Sequence, residues 1–339
     1  MRARRFLLVS TAALVAAMGV SACGNGKDAA ASNKPKVTLS LVAYSTPQRA
    51  YEKIIKAFQA TAAGKNVVFT QSYGASGDQS RAVAAGLKAD VVAFSLEPDI
   101  TRLVKADLVD AAWAAGEHKG IVTDSVVVLA TRKGNPKQVK DWADLTKTGV
   151  QVITPNPFTS GGARWNVLAA YGAISEKGAQ KAAGVSYLNT LFHHVAVQDD
   201  SARKSLQTFI GGKGDVLLAY ENEAIFAQQK QQPLDYTVPD KTILIENPVA
   251  VTKNSAHPTE AQAFVDFLFS EKAQRIFADQ GYRPVVEGVA KSDEFPTPSG
   301  LFTIADLGGW SVATPQFFDP KTGVLAGVER DLGVPTEKK

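Results

Sequence analysis

The sequence predicts an α/β protein made of two lobes that are joined by two extended strands. Short runs of β-branched residues alternate with segments of helical periodicity, a pattern typical of βαβ units and parallel sheets. The length of 339 residues suits about two domains, each with its own core. Two long extended stretches, residues 122–131 and 242–252, are well placed to cross from one lobe to the other and back.

The first lobe is expected to combine residues 37–121 with residues 246–310. Its N-terminal part begins with a β-rich run and continues with Tyr51, Ile54, Ile55 and Phe58 at helical spacing. The predicted strands are residues 37–43, 67–70 and 90–94, and the predicted helices are residues 49–61, 76–87, 98–106 and 259–279.

The second lobe is expected over residues 122–245, and residues 311–339 remain an unassigned C-terminal tail. Its predicted strands are residues 125–131, 150–154 and 215–220, and its predicted helices are residues 162–171 and 201–210. Ligands of such sheets collect at the carboxyl ends of strands, near helix N-termini. We therefore expect a ligand in the cleft between the lobes, with a two-strand hinge that allows closure.

The N-terminus has the layout of an export signal. Arg2, Arg4 and Arg5 precede an apolar run over residues 6–20, and small residues lead to Cys23. An uncleaved transmembrane anchor is the alternative, but the run is short for a span of about 20 residues. The segment resembles a lipoprotein signal. We therefore expect a signal peptide over residues 1–22, a lipidated Cys23, and a flexible tether over residues 23–36 that holds the body at the outer face of the cytoplasmic membrane, in a periplasm or at the cell surface.

Composition and missing motifs exclude several classes of protein. Without the three N-terminal arginines the formal net charge falls from +4 to +1, which argues against a nucleic-acid partner. The single cysteine permits neither an internal disulfide nor a cysteine metal site. Metalloprotease, nucleophile-elbow and P-loop motifs are absent from the sequence. His193 and His194 could bind a metal, but neighbours on a helix point apart, so no metal site is expected.

Two loops indicate a site for an anion. Residues 72–77 and residues 159–162 each follow a predicted strand, open a predicted helix, and combine hydroxyl groups with glycines. Free N–H groups and the positive end of the helix dipole lie at such a start. Ser76 and Ser160 could instead be plain helix caps, and the glycine-rich segment 211–214 precedes a strand and favours a turn. Two such loops in two lobes favour one shared oxyanion.

Longer motifs identify a family resemblance. The runs ITPNP at residues 153–157, SGGARWN at 160–166, ENEA at 221–224 and YRP at 282–284 resemble the periplasmic sulfate-binding proteins, the solute receptors of sulfate/thiosulfate ABC importers. The resemblance covers about residues 37–309. It implies a type II periplasmic-binding-protein fold and a monomeric receptor without enzymatic activity or cofactor. Its partners would be sulfate or thiosulfate and the transmembrane subunits of an ABC permease.

The resemblance also implies which residues hold the anion, mainly through neutral donors. The matching positions are Ser45, Ser76, Ser160, Gly161, Gly162, Ala202 and Tyr220, with Arg203 in a supporting role. At Tyr220 the family has a tryptophan, whose indole can only donate, whereas a phenol can donate and accept. We predict that Tyr220 gives its proton to sulfate and that the rejection of hydrogen phosphate is weaker here. Alternatively, Tyr220 packs against the hinge.

Three other functions remain open from the sequence. The chain could be a receptor for another tetrahedral oxyanion such as molybdate. It could also be an exported ester hydrolase of the same shape, or a scaffold lipoprotein without a ligand. The missing catalytic motifs weigh against the hydrolase, and the paired anion loops weigh against the scaffold.

Overall fold

The first lobe alternates strands and helices and is completed by two helices from later in the chain. The computed structural model describes residues 36–291 and 293–336, so the predicted signal peptide, Cys23 and nearly all of the tether lie outside the described residues. The elements of this lobe are β1 (Val37–Tyr44), α1 (Gln48–Gln59), β2 (Val67–Gly74), α2 (Ser76–Ala84), β3 (Val91–Ala93), α3 (Glu97–Lys105), α8 (Pro258–Leu268) and α9 (Glu271–Asp279).

The second lobe repeats this alternation with its own strands and helices. Its elements are β5 (Val152–Ile153), α4 (Gly161–Ile174), α5 (Lys181–His193), β6 (Val195–Val197), α6 (Ala202–Ile210), β7 (Val216–Tyr220), α7 (Glu221–Gln229) and β8 (Leu234–Thr237). Within the described residues, no helix has both the length and the apolar character needed to cross a bilayer.

Two long antiparallel strands, β4 (Ile121–Arg132) and β9 (Leu244–Val251), join the lobes. The strand order is β2-β1-β3-β9-β4-β7-β5-β6, with β8 also paired to β4. β9 pairs with β3 through its last residues and with β4 through its first, and β4 then continues beside β7 and β8. The predicted α/β fold with two crossover strands is thus confirmed, while the exact bounds of the two lobes stay a prediction.

Separate apolar cores lie beneath the two parts of the sheet. In the first lobe, Tyr51 and Phe58 of α1 pack against Phe264 of α8 with β1 and β3 beneath them. In the second lobe, the buried faces of β4, β5 and β7 pack against α4 and α5. Each lobe can therefore hold its own loops rigidly at the carboxyl ends of its strands.

The C-terminal tail forms part of the second core. Helix α10 (Trp310–Phe318) packs on α4, where the rings of Trp310 and Trp165 lie 4.8 Å apart and those of Phe317 and Tyr171 lie 4.6 Å apart. Helix α11 (Val324–Asp331) packs on α10 and α5. Burial of these aromatic rings gives the tail a structural role that its sequence left unassigned.

One predicted helix is wrong. Residues 259–279 form two helices, α8 and α9, because Ser270 starts a new helix by accepting a hydrogen bond from the Ala273 N–H through its hydroxyl oxygen, at 3.2 Å. A serine that caps a helix in this way competes with continuation of the preceding one. The sequence indicated a helix at His193, but the rest of helix α5 was not predicted.

Candidate functional site

A small cavity lies between the lobes, and it brings together all seven residues expected to hold the anion. Its volume is about 10 Å³, close to the space that one water molecule needs and far below the range of roughly 300–1,000 Å³ typical of sites for organic ligands. All of the described residues that line it are uncharged. They are Tyr44, Ser45, Thr46, Ala75, Ser76, Ser95, Ser160, Gly161, Gly162, Ala202 and Tyr220.

Helix starts converge on this cavity from both lobes. Ser45 lies just ahead of α1, Ser76 begins α2, Gly161 begins α4, Ala202 begins α6, and Tyr220 directly precedes α7. Each start carries N–H groups that its own helix does not use, together with the positive end of the helix dipole. Each of these helices follows a strand or a short loop after a strand. The helix starts therefore lie at the same edge of the sheet and line one cavity.

The main-chain donors around the cavity are largely unpartnered. The N–H groups of Ser45, Ser76, Gly161, Gly162 and Ala202 make no hydrogen bond to a described residue. Buried N–H groups in proteins are nearly always paired. Five unpaired N–H groups, three of them on buried residues, therefore form a site that suits a hydrogen-bond acceptor with several oxygens.

In the second lobe, Ser160 is the N-cap of α4. Its hydroxyl oxygen accepts from the Ala163 N–H at a long 3.4 Å, and its hydroxyl proton has no acceptor among the described residues. The cap therefore leaves Ser160 able to donate into the cavity. The neighbouring position, Gly161, has no room for a side chain. A Cβ there would lie 2.7 Å from Ser95 and 2.8 Å from Leu96 of the first lobe.

In the first lobe, the hydroxyl of Ser76 is already engaged. It donates to Asp99 Oδ2 at 2.6 Å and accepts from the Ser95 N–H at 2.9 Å. Ala75, not Ser76, is the N-cap of α2. The side chain of Ser76 therefore holds the loop of Ser95 in place, and only the main-chain N–H of Ser76 is available at the cavity.

Tyr220 lies in the cavity wall, and its hydroxyl meets Ser95 across the lobes. The Tyr220 Oη and Ser95 Oγ atoms are 2.5 Å apart, and either can be the donor. Burial raises the pKa of Tyr220 far above its ordinary value, although hydrogen bonds with Ser95 and Asn247 oppose the rise, so the phenol keeps its proton. Asn247 belongs to crossover strand β9, so Tyr220 both faces the cavity and contacts the hinge.

Arg203 stays outside the cavity lining and supports it. Its guanidinium binds Glu223 through two hydrogen bonds of 3.0 and 2.7 Å and donates to the carbonyl oxygen of Thr46 at 2.9 Å. Burial lowers the pKa of Arg203, but the buried Glu223 carboxylate raises it more, and the net direction is upward. This cation is neutralised by its own partner, and it ties the second lobe to the Ser45 loop.

Four lining residues were missed from the sequence: Tyr44, Thr46, Ala75 and Ser95. Three of them flank residues that were predicted. The fourth, Ser95, directly follows the predicted strand 90–94, and the rule that ligands collect at strand carboxyl ends could have found it. The Tyr44 hydroxyl is buried and makes no hydrogen bond to a described residue.

The histidine pair and the glycine-rich segment lie away from this site. The Nδ1 atoms of His193 and His194 bind two different carbonyl groups, those of Asn189 and Val150. Residues 211–214 form the turn between α6 and β7, where Gly212 and Gly214 have positive φ angles. Among the described residues, no cluster of three or more acidic, histidine or cysteine side chains could hold a metal ion.

Comparison with known proteins agrees with this geometry. The model of the bacterial extracellular solute-binding protein family matches residues 39–283. A sulfate-binding protein of Synechococcus elongatus is 44% identical, with 93% of each chain covered. A thiosulfate-binding protein of Pseudomonas aeruginosa is 34% identical, with 82% of this chain and 88% of that one covered.

A solved structure is similar over most of the chain. The sulfate-binding protein SubI from Mycobacterium tuberculosis superposes with a TM-score of 0.82 at 47% identity, and the match covers 83% of this chain and 99% of that one. The two-lobe fold, the donor-lined cavity and the family match together show that this chain belongs to the bacterial extracellular solute-binding proteins.

Proposed function

We propose that this protein captures sulfate or thiosulfate outside the cytoplasm and delivers it to an ABC importer. The observation that carries the proposal is the set of unpartnered N–H groups around one small, uncharged cavity. The names of the similar proteins support the same ligands. The proposed ligand groups are the main-chain N–H groups of Ser45, Ser76, Gly161, Gly162 and Ala202, together with the hydroxyls of Ser160 and Tyr220.

A site of neutral donors suits a carrier because it can bind a dianion and still release it. Each hydrogen bond to a charged acceptor contributes about 1.5–3 kcal/mol. Several of them can offset the cost of association and leave about −8 kcal/mol, which corresponds to micromolar affinity. Arg203, which follows the lining residue Ala202 in the chain, is neutralised by Glu223, so it stabilises the loops without trapping the anion.

The cavity also separates the alternative functions. A cavity of about 10 Å³ is too small for an organic ester and suits a compact tetrahedral oxyanion better, which weighs against a hydrolase. All lining side chains are uncharged, and none of them supplies a carboxylate or imidazole base. Molybdate is a larger tetrahedral oxyanion and is the remaining alternative ligand within the same class.

Calorimetric titration of the purified protein with sulfate, thiosulfate, molybdate and phosphate tests the proposal. We expect micromolar binding of sulfate or thiosulfate, and molybdate binding at least about tenfold weaker. If molybdate bound more tightly than sulfate and thiosulfate, the protein would be a molybdate receptor. A protein that binds none of the four would not be an oxyanion receptor.

Attachment to the membrane is a separate part of the proposal. We expect Cys23 to carry the lipid and residues 24–36 to act as the tether, because small residues and an apolar run precede this cysteine. The variant Cys23→Ser should move the protein from the membrane fraction to the soluble fraction while leaving sulfate affinity unchanged. Equal membrane association of variant and parent would disprove the anchor and leave the receptor function intact.

A further inference from the structure

The contact between Ser95 and Tyr220 couples the two lobes inside the cavity wall. Ser95 follows β3 in the first lobe, Tyr220 ends β7 in the second, and each is only 1% exposed. Their hydroxyl oxygens lie 2.5 Å apart, and both residues line the cavity. The family resemblance implies a ligand role for Tyr220 but none for Ser95.

The main chain of Ser95 is completely bonded, which fixes the position of its hydroxyl. Its N–H donates to Ser76 Oγ at 2.9 Å, and its carbonyl accepts from Trp165 Nε1 at 2.8 Å and Asn247 Nδ2 at 3.1 Å. A Cβ on Gly161 would come within 2.7 Å of Ser95 Oγ. The Ser95 hydroxyl therefore lies against the start of α4, beside two of the unpartnered N–H groups.

Two hydroxyls in contact hold two protons, and only one of these lies between the oxygens. The second proton belongs to whichever hydroxyl accepts, and it is free to point at a ligand. Because either residue can be the donor, the direction of the pair can reverse. By contrast, the hydroxyl of Ser76 donates to Asp99 and cannot turn in this way.

Building on the proposed function, we propose that Ser95 is a ligand of the anion and acts with Tyr220 as a reversible hydroxyl pair. Toward sulfate, the pair gives one proton. Toward a monoprotonated tetrahedral oxyanion, Tyr220 accepts the O–H of the ligand and donates to Ser95, whose own proton goes to another oxygen of the ligand. The cavity therefore takes hydrogen phosphate as well as sulfate, which a donor-only group would exclude.

Two dianions of similar size test this on the parent protein without any substitution. Hydrogen phosphate carries one O–H, whereas monofluorophosphate carries fluorine in its place and has no proton to donate at mildly alkaline pH. We expect hydrogen phosphate to bind at least as tightly as fluorophosphate in calorimetric titrations. A cavity that only donates would leave the phosphate O–H unpaired and prefer fluorophosphate by about tenfold, which would overturn the proposal.

The variants Ser95→Ala and Tyr220→Phe test the pair itself. Each should lower phosphate affinity by at least about tenfold more than sulfate affinity, because each interrupts the path from the ligand O–H through Tyr220 and Ser95 back to another oxygen of the ligand. The double variant should change this ratio little further, since the two groups act as a unit. If Ser95→Ala left the ratio of phosphate to sulfate affinity unchanged, Ser95 would not be a ligand of the anion.

Matched controls separate this role from general effects on folding. Ser175→Ala removes a buried serine hydroxyl at the far end of α4, and Tyr171→Phe removes a buried phenol from the same helix. Neither should alter the ratio of phosphate to sulfate affinity. A parent protein that binds no sulfate would instead refute the proposed function, so the two failures are distinguishable.

Discussion

The two lobes present similar serine–glycine sequences to the cavity, yet they use them differently. At α2 in the first lobe, the Ser76 hydroxyl is held by Asp99 and the Gly77 N–H donates to the Thr159 carbonyl of the second lobe at 3.1 Å. At α4 in the second lobe, the Ser160 hydroxyl proton and the N–H groups of Gly161 and Gly162 have no partner among the described residues.

This difference supports the proposal that one helix start serves structure and the other serves the ligand. The first uses its polar groups to hold the loops and to contact the opposite lobe, so it contributes mainly its remaining N–H. The second leaves its donors without a partner among the described residues, as the proposed anion site requires. A serine–glycine pair at a helix N-terminus therefore does not by itself reveal which of the two roles it has.

The largest expected effect comes from Gly161→Ala in the second lobe. Its Cβ would collide with Ser95 and Leu96 at 2.7–2.8 Å, so the lobes could not close on the anion. We expect a loss of sulfate affinity of at least about a hundredfold, which corresponds to roughly 3 kcal/mol. Calorimetry measures it directly.

A matched glycine provides the control for this clash. Gly327 lies within helix α11, and the nearest atom to a Cβ there is 4.0 Å away on a flexible arginine. Gly327→Ala should leave affinity unchanged and slightly increase the stability of its helix. If Gly161→Ala bound sulfate like this control, the close approach of the lobes would not be needed for binding.

Ser160→Ala should have the next largest effect. Loss of a hydroxyl that donates to a charged acceptor costs about 1.5–3 kcal/mol, or roughly tenfold to a hundredfold in sulfate affinity. Ser270→Ala is the matched control, because Ser270 caps α9 in the same manner but lies outside the cavity lining. Each variant should lose about 1 kcal/mol of folding stability, and only Ser160→Ala should lose affinity.

Ser76→Ala should have the opposite pattern, with a larger loss of folding stability than of sulfate affinity. Because the Ser76 hydroxyl serves Asp99 and Ser95, its removal should cost about 1–3 kcal/mol of unfolding free energy. Sulfate affinity should fall by less than about tenfold, since the main-chain N–H remains. Urea unfolding and calorimetry on the same variant measure both. An affinity loss as large as that of Ser160→Ala would abolish the distinction between the two helix starts.

The smallest effect on affinity is expected at the hinge that both lobes share. Burial, together with the carboxylate of Glu246 directly opposite on β9, raises the pKa of Asp124 to about 7, although Arg283 opposes the rise. The folded protein therefore holds this proton more tightly than the unfolded chain does. The contribution of Asp124 to stability is therefore greatest at low pH and is lost as pH rises from about 4 through 7.

Asp124→Asn tests this pH dependence. The variant should flatten the fall in unfolding free energy across that range while changing sulfate affinity little. Denaturant unfolding at several pH values, on parent and variant, supplies the measurement. Parallel curves for the two proteins would show that Asp124 does not hold the proton.

Much of the fold could be predicted from the sequence because its signals are local. The alternation of β-branched runs with helical periodicity predicted the α/β class, and the stretches 122–131 and 242–252 proved to be crossover strands β4 and β9. Local signals were weaker at the break between α8 and α9. Helices α10 and α11 escaped prediction because their stability comes from tertiary packing, α10 on the sequence-distant Trp165 and Tyr171 and α11 on α10 and α5.

For the site, the sequence by itself determined which short segments carry free donors, because helix starts, glycines and hydroxyls are local features. The tertiary structure alone decided what each donor is free to do. Asp99 lies 23 residues from Ser76 and accepts a hydrogen bond from its hydroxyl. Ser95 lies 125 residues from Tyr220 and forms a hydrogen bond with its hydroxyl. The competition for a hydroxyl proton depends on distances of a few tenths of an ångström, and those distances are set by how the two lobes pack.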